Sequence, residues 1–175
     1  MSFYLNPWFI ITNLGDPRLW TALCVILFFV RLHFKRKIKP YNKKFIWVGA
    51  FIIFAGFAMA SSLAISQGMK EYFQIPRACA PETNIYCLDS YSFPSGHTAV
   101  AFTVFSGIFL ILGRRKYLPI LILPILVAAS RMALGVHTFY DVIGGTVVGL
   151  AVFAVFFLAV KKNSYLKTFL EKKLR

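Results

Sequence analysis

The sequence predicts an all-α integral membrane protein, a bundle of five to six transmembrane helices. Three observations carry this. The chain of 175 residues is 58% hydrophobic, with a mean hydropathy of +0.67, well above the balance of an ordinary soluble domain. Apolar stretches recur at lengths close to the ~20 residues that a helix needs to cross the ~30 Å hydrocarbon core of a bilayer. The basic residues that give a net charge of +14 gather on alternate connections between those stretches. The length suits a single domain, residues 1–175.

The stretches read, in order, as Leu19–Phe34, Phe45–Ser66, His97–Leu112, Tyr117–Ala129 (running on towards Val136) and Val142–Val160. Arg31 and His33 fall near the end of the first, where side chains can reach the headgroups. Pro119 and Pro124 blur the limits of the fourth. Phe3–Leu14 is apolar and aromatic but short and broken by Pro7. Residues 1–16 are therefore expected as a helix lying in the interface, with a sixth span as the alternative. No secretory signal pattern opens the sequence, so the first helices are expected to be retained.

With five spans, the connections alternate sides. Lys35–Lys44, Arg114–Lys116 and Lys161–Arg175 carry 15 of the 20 basic residues and fall on one side. The positive-inside rule puts that side, with the basic tail 161–175, in the cytoplasm. Attraction to anionic inner-leaflet lipids follows without further design. Topology explains the basic excess, so nucleic acid is not an expected partner. The opposite face, with an outer loop at 67–97, is then periplasmic in a bacterial inner membrane. A cation there is not explained by topology and asks for another reason.

Cys79 and Cys87 lie in that outer loop, where an oxidising compartment favours a disulfide; two free or buried thiols are the alternative. Cys24 falls within the first span and reads as packing.

Three clusters lie on the same face. Lys70 and Arg77 follow the second span, about two helical turns apart, with Pro76 disturbing the helix end. Pro94-Ser95-Gly96-His97 opens the third span. Ser95 suits a helix cap, Gly96 permits close backbone approach, and the helix start offers unpaired N–H groups to an anion. Ser130-Arg131, followed by His137 and Asp141, leads into the last span. His137 and Asp141, four apart, would share a helix face, and a carboxylate beside an imidazole fixes its tautomer and raises its basicity. Taken singly, these are snorkelling cations, a cap and an interfacial histidine. Taken together, they set Lys70, Arg77 and Arg131 around two histidines and an aspartate. That donor set suits a phosphoryl group, whose transfer depends on positioning and charge stabilisation. Neither a carboxylate cluster for Mg²⁺ nor a Cys/His set for zinc is evident, so no metal or other cofactor is expected.

These motifs, K-x6-R, P-S-G-H and S-R-x5-H-x3-D, resemble the three-part signature of the type 2 phosphatidic acid phosphatase superfamily of membrane lipid phosphatases. Ala78 stands where the first motif usually has proline, which bears on loop rigidity more than on chemistry. The resemblance implies His137 as nucleophile, Asp141 as its orienting partner, and His97 as the acid that protonates the leaving oxygen. It implies Lys70, Arg77, Arg131, Ser95, Gly96 and Ser130 as phosphate ligands. The expected partner is an amphiphilic phosphorylated lipid. In overall appearance the chain is similar to small bacterial lipid A 1-phosphatases; phosphatidylglycerophosphate and undecaprenyl-diphosphate phosphatases are the alternatives. A catalytically inactive lipid-binding membrane protein is the non-enzymatic alternative, and the intact His97, His137 and Asp141 speak against it. Nothing in the sequence speaks to oligomeric state.

Overall fold

The computed structural model of the protein describes residues 7–35, 43–79, 90–112 and 115–162. Its elements are α1 (Pro7–Asn13), α2 (Pro17–Lys35), α3 (Lys43–Phe73), α4 (Gly96–Leu112), a 3₁₀ turn (Arg115–Leu121) running into α5 (Ile122–Ala133), and α6 (Phe139–Lys162). Each of the five apolar stretches read from the sequence is helical. The segments 115–133 and 139–159 are each long and apolar enough to cross a membrane, and α1 with α2 makes a third if that pair, bent by 48°, is one span. The protein is an all-α integral membrane protein. The pairing of Cys79 with Cys87 involves a residue, Cys87, outside those described; Cys24 is a free thiol.

The helices turn apolar side chains outward as well as inward. Phe57 is 73% exposed, Val155 70% and Leu158 62%, the surface that a lipid environment satisfies. The inward stripe of α3 is Ala58, Met59, Ser62, Ser66 and Lys70. From Met59 on, steps of three to four residues keep them on one side and deliver the Lys70 ammonium to the end of the bundle's interior.

The tightest contact is between α4 and α6. A Cβ at Gly145 would lie 2.4 Å from the Ser95 carbonyl oxygen, and one at Gly149 would lie 2.4 Å from that of Ala99. Gly145 and Gly149 form a small-xxx-small stripe that lets the two backbones meet. The Thr103 hydroxyl lies 2.9 Å from Ala99 O and 3.1 Å from Gly149 O, tying the helices at the same level. Ala58, Ala99, Val148, Val152 and Phe156 fill the core around them.

A second cluster of Ala101, Phe105 and Val127 receives Ile11, Leu14 and Trp20 from the α1–α2 corner. That corner is well specified locally. Asp16 caps α2 by accepting the Arg18 N–H at 2.7 Å, and Pro17 fills the first helical position, where no N–H is needed. Trp20 donates from its indole to Leu14 O at 2.6 Å and meets Phe105 edge-on at 5.6 Å. α1 is thus packed against α5 and continues through the corner into α2.

Substituting Gly149→Ala should lower stability in detergent by about 1–3 kcal/mol, because the methyl meets backbone that cannot move aside cheaply. Gly56→Ala, whose added Cβ meets nothing within 4 Å, should leave the melting temperature unchanged. Equal melting temperatures for the two variants would contradict this packing.

Candidate active site

The ends of α3, α4, α5 and α6 meet the α1–α2 corner at one end of the bundle, opposite the ends bearing Lys35, Lys43 and Lys162. The chain reaches this end by three distinct local devices. α3 stops at Phe73, and Gln74 adopts a positive φ of 49°, so Arg77 approaches from a non-helical segment and not from a helix stripe shared with Lys70. α5 ends in a Schellman turn. Gly135, with φ 68°, donates to Met132 O at 2.9 Å and Val136 donates to Arg131 O at 3.2 Å, the two bonds of that motif. Gly135 supplies the left-handed residue, and the reversal carries His137 back over the bundle end. α6 then opens on a capping box. Thr138 N–H donates to Asp141 Oδ2 at 2.7 Å, and Asp141 N–H points back to Thr138 Oγ1 at 3.3 Å.

This corrects one expectation. His137 and Asp141 do not share a helix face, because α6 begins only at Phe139. They meet because the capping box folds the carboxylate back beneath the preceding residues. His137 Nδ1 lies 3.5 Å from Asp141 Oδ2, longer than a full hydrogen bond. The carboxylate also accepts the Ser92 hydroxyl at 3.1 Å on Oδ1, and Asp141 O accepts the Ser95 N–H at 2.9 Å.

Arg77 knits three segments together. Its Nε and NH2 donate to Ser90 O at 2.9 Å and Ser90 Oγ at 3.0 Å. Its NH1 donates to Val136 O at 2.8 Å and lies 3.3 Å from His137 Nε2. A guanidinium can only donate, so Nε2 is the lone-pair nitrogen, and the ring proton belongs on Nδ1, facing Asp141. Lys70 Nζ donates to Tyr91 O at 2.5 Å. Arg131 is 5% exposed; its NH1 donates to Thr12 Oγ1 at 2.9 Å, while its buried Nε has no partner among the described residues. His97, half-buried on the first turn of α4, lies within electrostatic range of Arg131, His137 and Arg77.

The structure therefore brings Lys70, Arg77, Arg131, His97, His137 and Asp141 to one end of the bundle. A Cβ at Gly96 would meet nothing within 4 Å, so the first turn of α4 presents open backbone. Ser95 and Ser130 are fully buried. Thr98 donates its hydroxyl to Ser95 Oγ at 2.9 Å, and Ser130 Oγ donates to Val127 O at 2.6 Å. Sequence reasoning did not single out Thr12, Ser90, Ser92 or Thr138. Of these, Thr138 had a local signal in the Thr-x-x-Asp pattern before an apolar run. Phe93 lies against Gly144, where a Cβ would meet its ring at 2.3 Å, and Phe73 meets that ring edge-on at 5.4 Å, closing the site towards α3 and α6.

Burial holds the His137 imidazole at a pKa of about 4, below the ordinary histidine value of 6.5. The facing Asp141 carboxylate opposes that shift, while the charges of Arg77 and Arg131 reinforce it. A pKa that low favours the neutral ring at pH 7.

The sequence profile of the PAP2 superfamily matches residues 51–165. The chain is similar to the crystal structure described as the first transmembrane PAP2 type phosphatidylglycerolphosphate phosphatase from Bacillus subtilis, with 26% identity and a TM-score of 0.65 over 90% of this chain and 79% of that one. No curated protein sequence matches the chain significantly.

An imidazole titration by nitrogen NMR, assigned with His137→Gln, should find His137 neutral at pH 6 with a midpoint near about 4. The unfolded chain takes up that proton at about 6.5. Acidification below that value should therefore cost folding stability, and the cost stops growing below the folded midpoint. A midpoint at or above 6.5 would contradict the burial of the ring.

Proposed function

The chain belongs to the PAP2 superfamily, and we propose that it is a membrane lipid phosphatase that removes a headgroup phosphate through a phosphohistidine on His137. One observation carries the reading: a neutral imidazole nitrogen faces a cation, Arg77, at 3.3 Å while its opposite nitrogen faces Asp141 at 3.5 Å. In this reading Nε2 is the nucleophile and the cation beside it would hold the phosphate it attacks.

In this reading Lys70, Arg77 and Arg131 bind the phosphoryl oxygens, together with N–H groups at the start of α4. They stabilise the charge that spreads over those oxygens in the transition state. Ser95 and Ser130, both fully buried, are read as further hydrogen-bonding groups on the phosphate side. His137 Nε2 attacks phosphorus as the bond to the leaving oxygen breaks, and His97 gives that oxygen its proton. His97 then takes a proton from water, whose oxygen displaces His137 and releases inorganic phosphate. Asp141 holds the Nδ1 proton throughout and stabilises the charged ring. No residue role calls for a metal ion or other cofactor.

The positive-inside distribution of basic residues supports a cytoplasmic C-terminus and a site facing the periplasm of a bacterial inner membrane. The substrate is then an outer-leaflet amphiphile. Its phosphate sits at headgroup depth and its chains remain in lipid. The compact chain favours the 1-phosphate of lipid A. The likeness to the Bacillus subtilis structure favours a second reading, phosphatidylglycerophosphate. A disulfide between Cys79 and Cys87 would brace the loop that carries Ser90 and Ser92.

Purified protein should release phosphate from a lipid monophosphate in EDTA. His137→Ala should lose at least about a thousandfold in kcat/KM, the scale of removing a covalent catalyst. Equal rates in the two proteins would sink the mechanism, and strict dependence on added Mg²⁺ would overturn the cofactor-free reading. A panel of lipid A, phosphatidylglycerophosphate, undecaprenyl diphosphate and phosphatidic acid, ranked by kcat/KM, decides the substrate. After reduction, an impermeant thiol reagent should reach Cys79 or Cys87 from the periplasmic side; labelling from the cytoplasm alone would invert the topology.

A further inference from the structure

Arg131 is anchored by a residue far from every motif of the site. Thr12 lies on α1, outside residues 51–165 that match the family profile, and is 4% exposed. Its hydroxyl oxygen accepts a hydrogen bond from Arg131 NH1 at 2.9 Å across 119 residues of sequence. We propose that Thr12 is a positioning residue for the reaction. By holding one arm of the Arg131 guanidinium, it turns the remaining donors towards the bound phosphate, so the α1–α2 corner is a working wall of the pocket.

Two features of the geometry support this beyond the bond itself. Among the described residues, the buried Arg131 Nε has no partner. A guanidinium donor without an acceptor is costly in a buried position, and an incoming phosphate oxygen would satisfy it. With NH1 committed to Thr12, the planar fork has one orientation in which the remaining donors can reach an anion together. The corner that carries Thr12 is also held directly against the catalytic elements. A Cβ at Gly15 would lie 2.6 Å from Val127 Cγ1 on α5 and 2.7 Å from the His97 carbonyl oxygen on α4. Asp16, one residue on, lies within electrostatic range of Arg131. A shift of α1 would therefore reach Arg131 through Thr12 and the His97 backbone through Gly15.

The inference rests on the phosphatase reading, and its test separates the two. The experiment measures KM for a lipid monophosphate and the inhibition constant for orthovanadate, in wild type, Thr12→Val and Thr12→Ser. Orthovanadate serves as the probe because it adopts the five-coordinate geometry of phosphoryl transfer. Thr12→Val keeps the shape and removes the acceptor. It should raise the vanadate inhibition constant about tenfold or more, the scale of losing a hydrogen bond to a charged group. KM should rise with it, and Thr12→Ser should restore both to within about twofold. If Thr12→Val does not fold in detergent, Thr12→Ala, which adds no bulk, takes its place in the same comparison. A residue that only helps the chain fold would lower the amount of active enzyme and leave both constants unchanged; that result overturns the proposal while the phosphatase reading stands. Failure of the wild type to hydrolyse any lipid of the panel overturns the reading and this inference with it.

Discussion

The Asp141 carboxylate is the constraint on which the rest of the site depends. It accepts the Thr138 N–H and the Ser92 hydroxyl, and it faces the His137 imidazole. The peptide carbonyl of the same residue accepts Ser95 N–H. One residue at the start of α6 therefore joins the segment after α5, the loop before α4 and the first turn of α4. A buried carboxylate without such partners would cost several kcal/mol. Its partners here are also the parts that must stay in register for catalysis. The helix N-terminus beneath it adds a partial positive charge that favours the ionised form.

That junction is possible only because α4 and α6 approach so closely. Gly145 and Gly149 remove the side chains that would otherwise separate them, and the separation at this contact sets how far Gly96 and His97 stand from Asp141. Around the junction, Lys70, Arg77 and Arg131 gather three cations near the Asp141 carboxylate, with Asp16 further out beside Arg131. Each cation is held by carbonyl or hydroxyl oxygens, which satisfy hydrogen-bonding capacity without cancelling charge. The pocket is left with an excess of positive charge in a site largely shielded from water, where an anion gains far more than it would at an open surface.

Much of this was legible in the sequence because it is written in local terms. Apolar length marked the five helical stretches, and the three polar clusters at their ends stood out against a hydrophobic background. The spacing from His137 to Asp141 suggested that the two interact, but for the wrong reason. A four-residue offset reads as a helix face, while the pair meets through the Thr138–Asp141 capping box just outside the helix. Gly135, Gly145 and Gly149 are silent in a one-dimensional reading, since what they permit is a chain reversal or the approach of another helix. Thr12 was equally hidden. In a short apolar segment interrupted by Pro7, a threonine carries no signal until the fold brings Arg131, 119 residues away, against it. The segment that carries Thr12, α1, packs on α5.

The central claim is that His137 Nε2 becomes bonded to phosphorus. The most direct measurement is a rapid quench of the wild-type protein with a radiolabelled lipid monophosphate, followed by peptide mapping of the bound label. The account predicts label on the peptide containing His137, stable to alkali and lost in acid, as a phosphoramidate should be, and released as inorganic phosphate on the timescale of turnover. Acid-stable label, label on another residue, or turnover with no labelled protein at any quench time would contradict it.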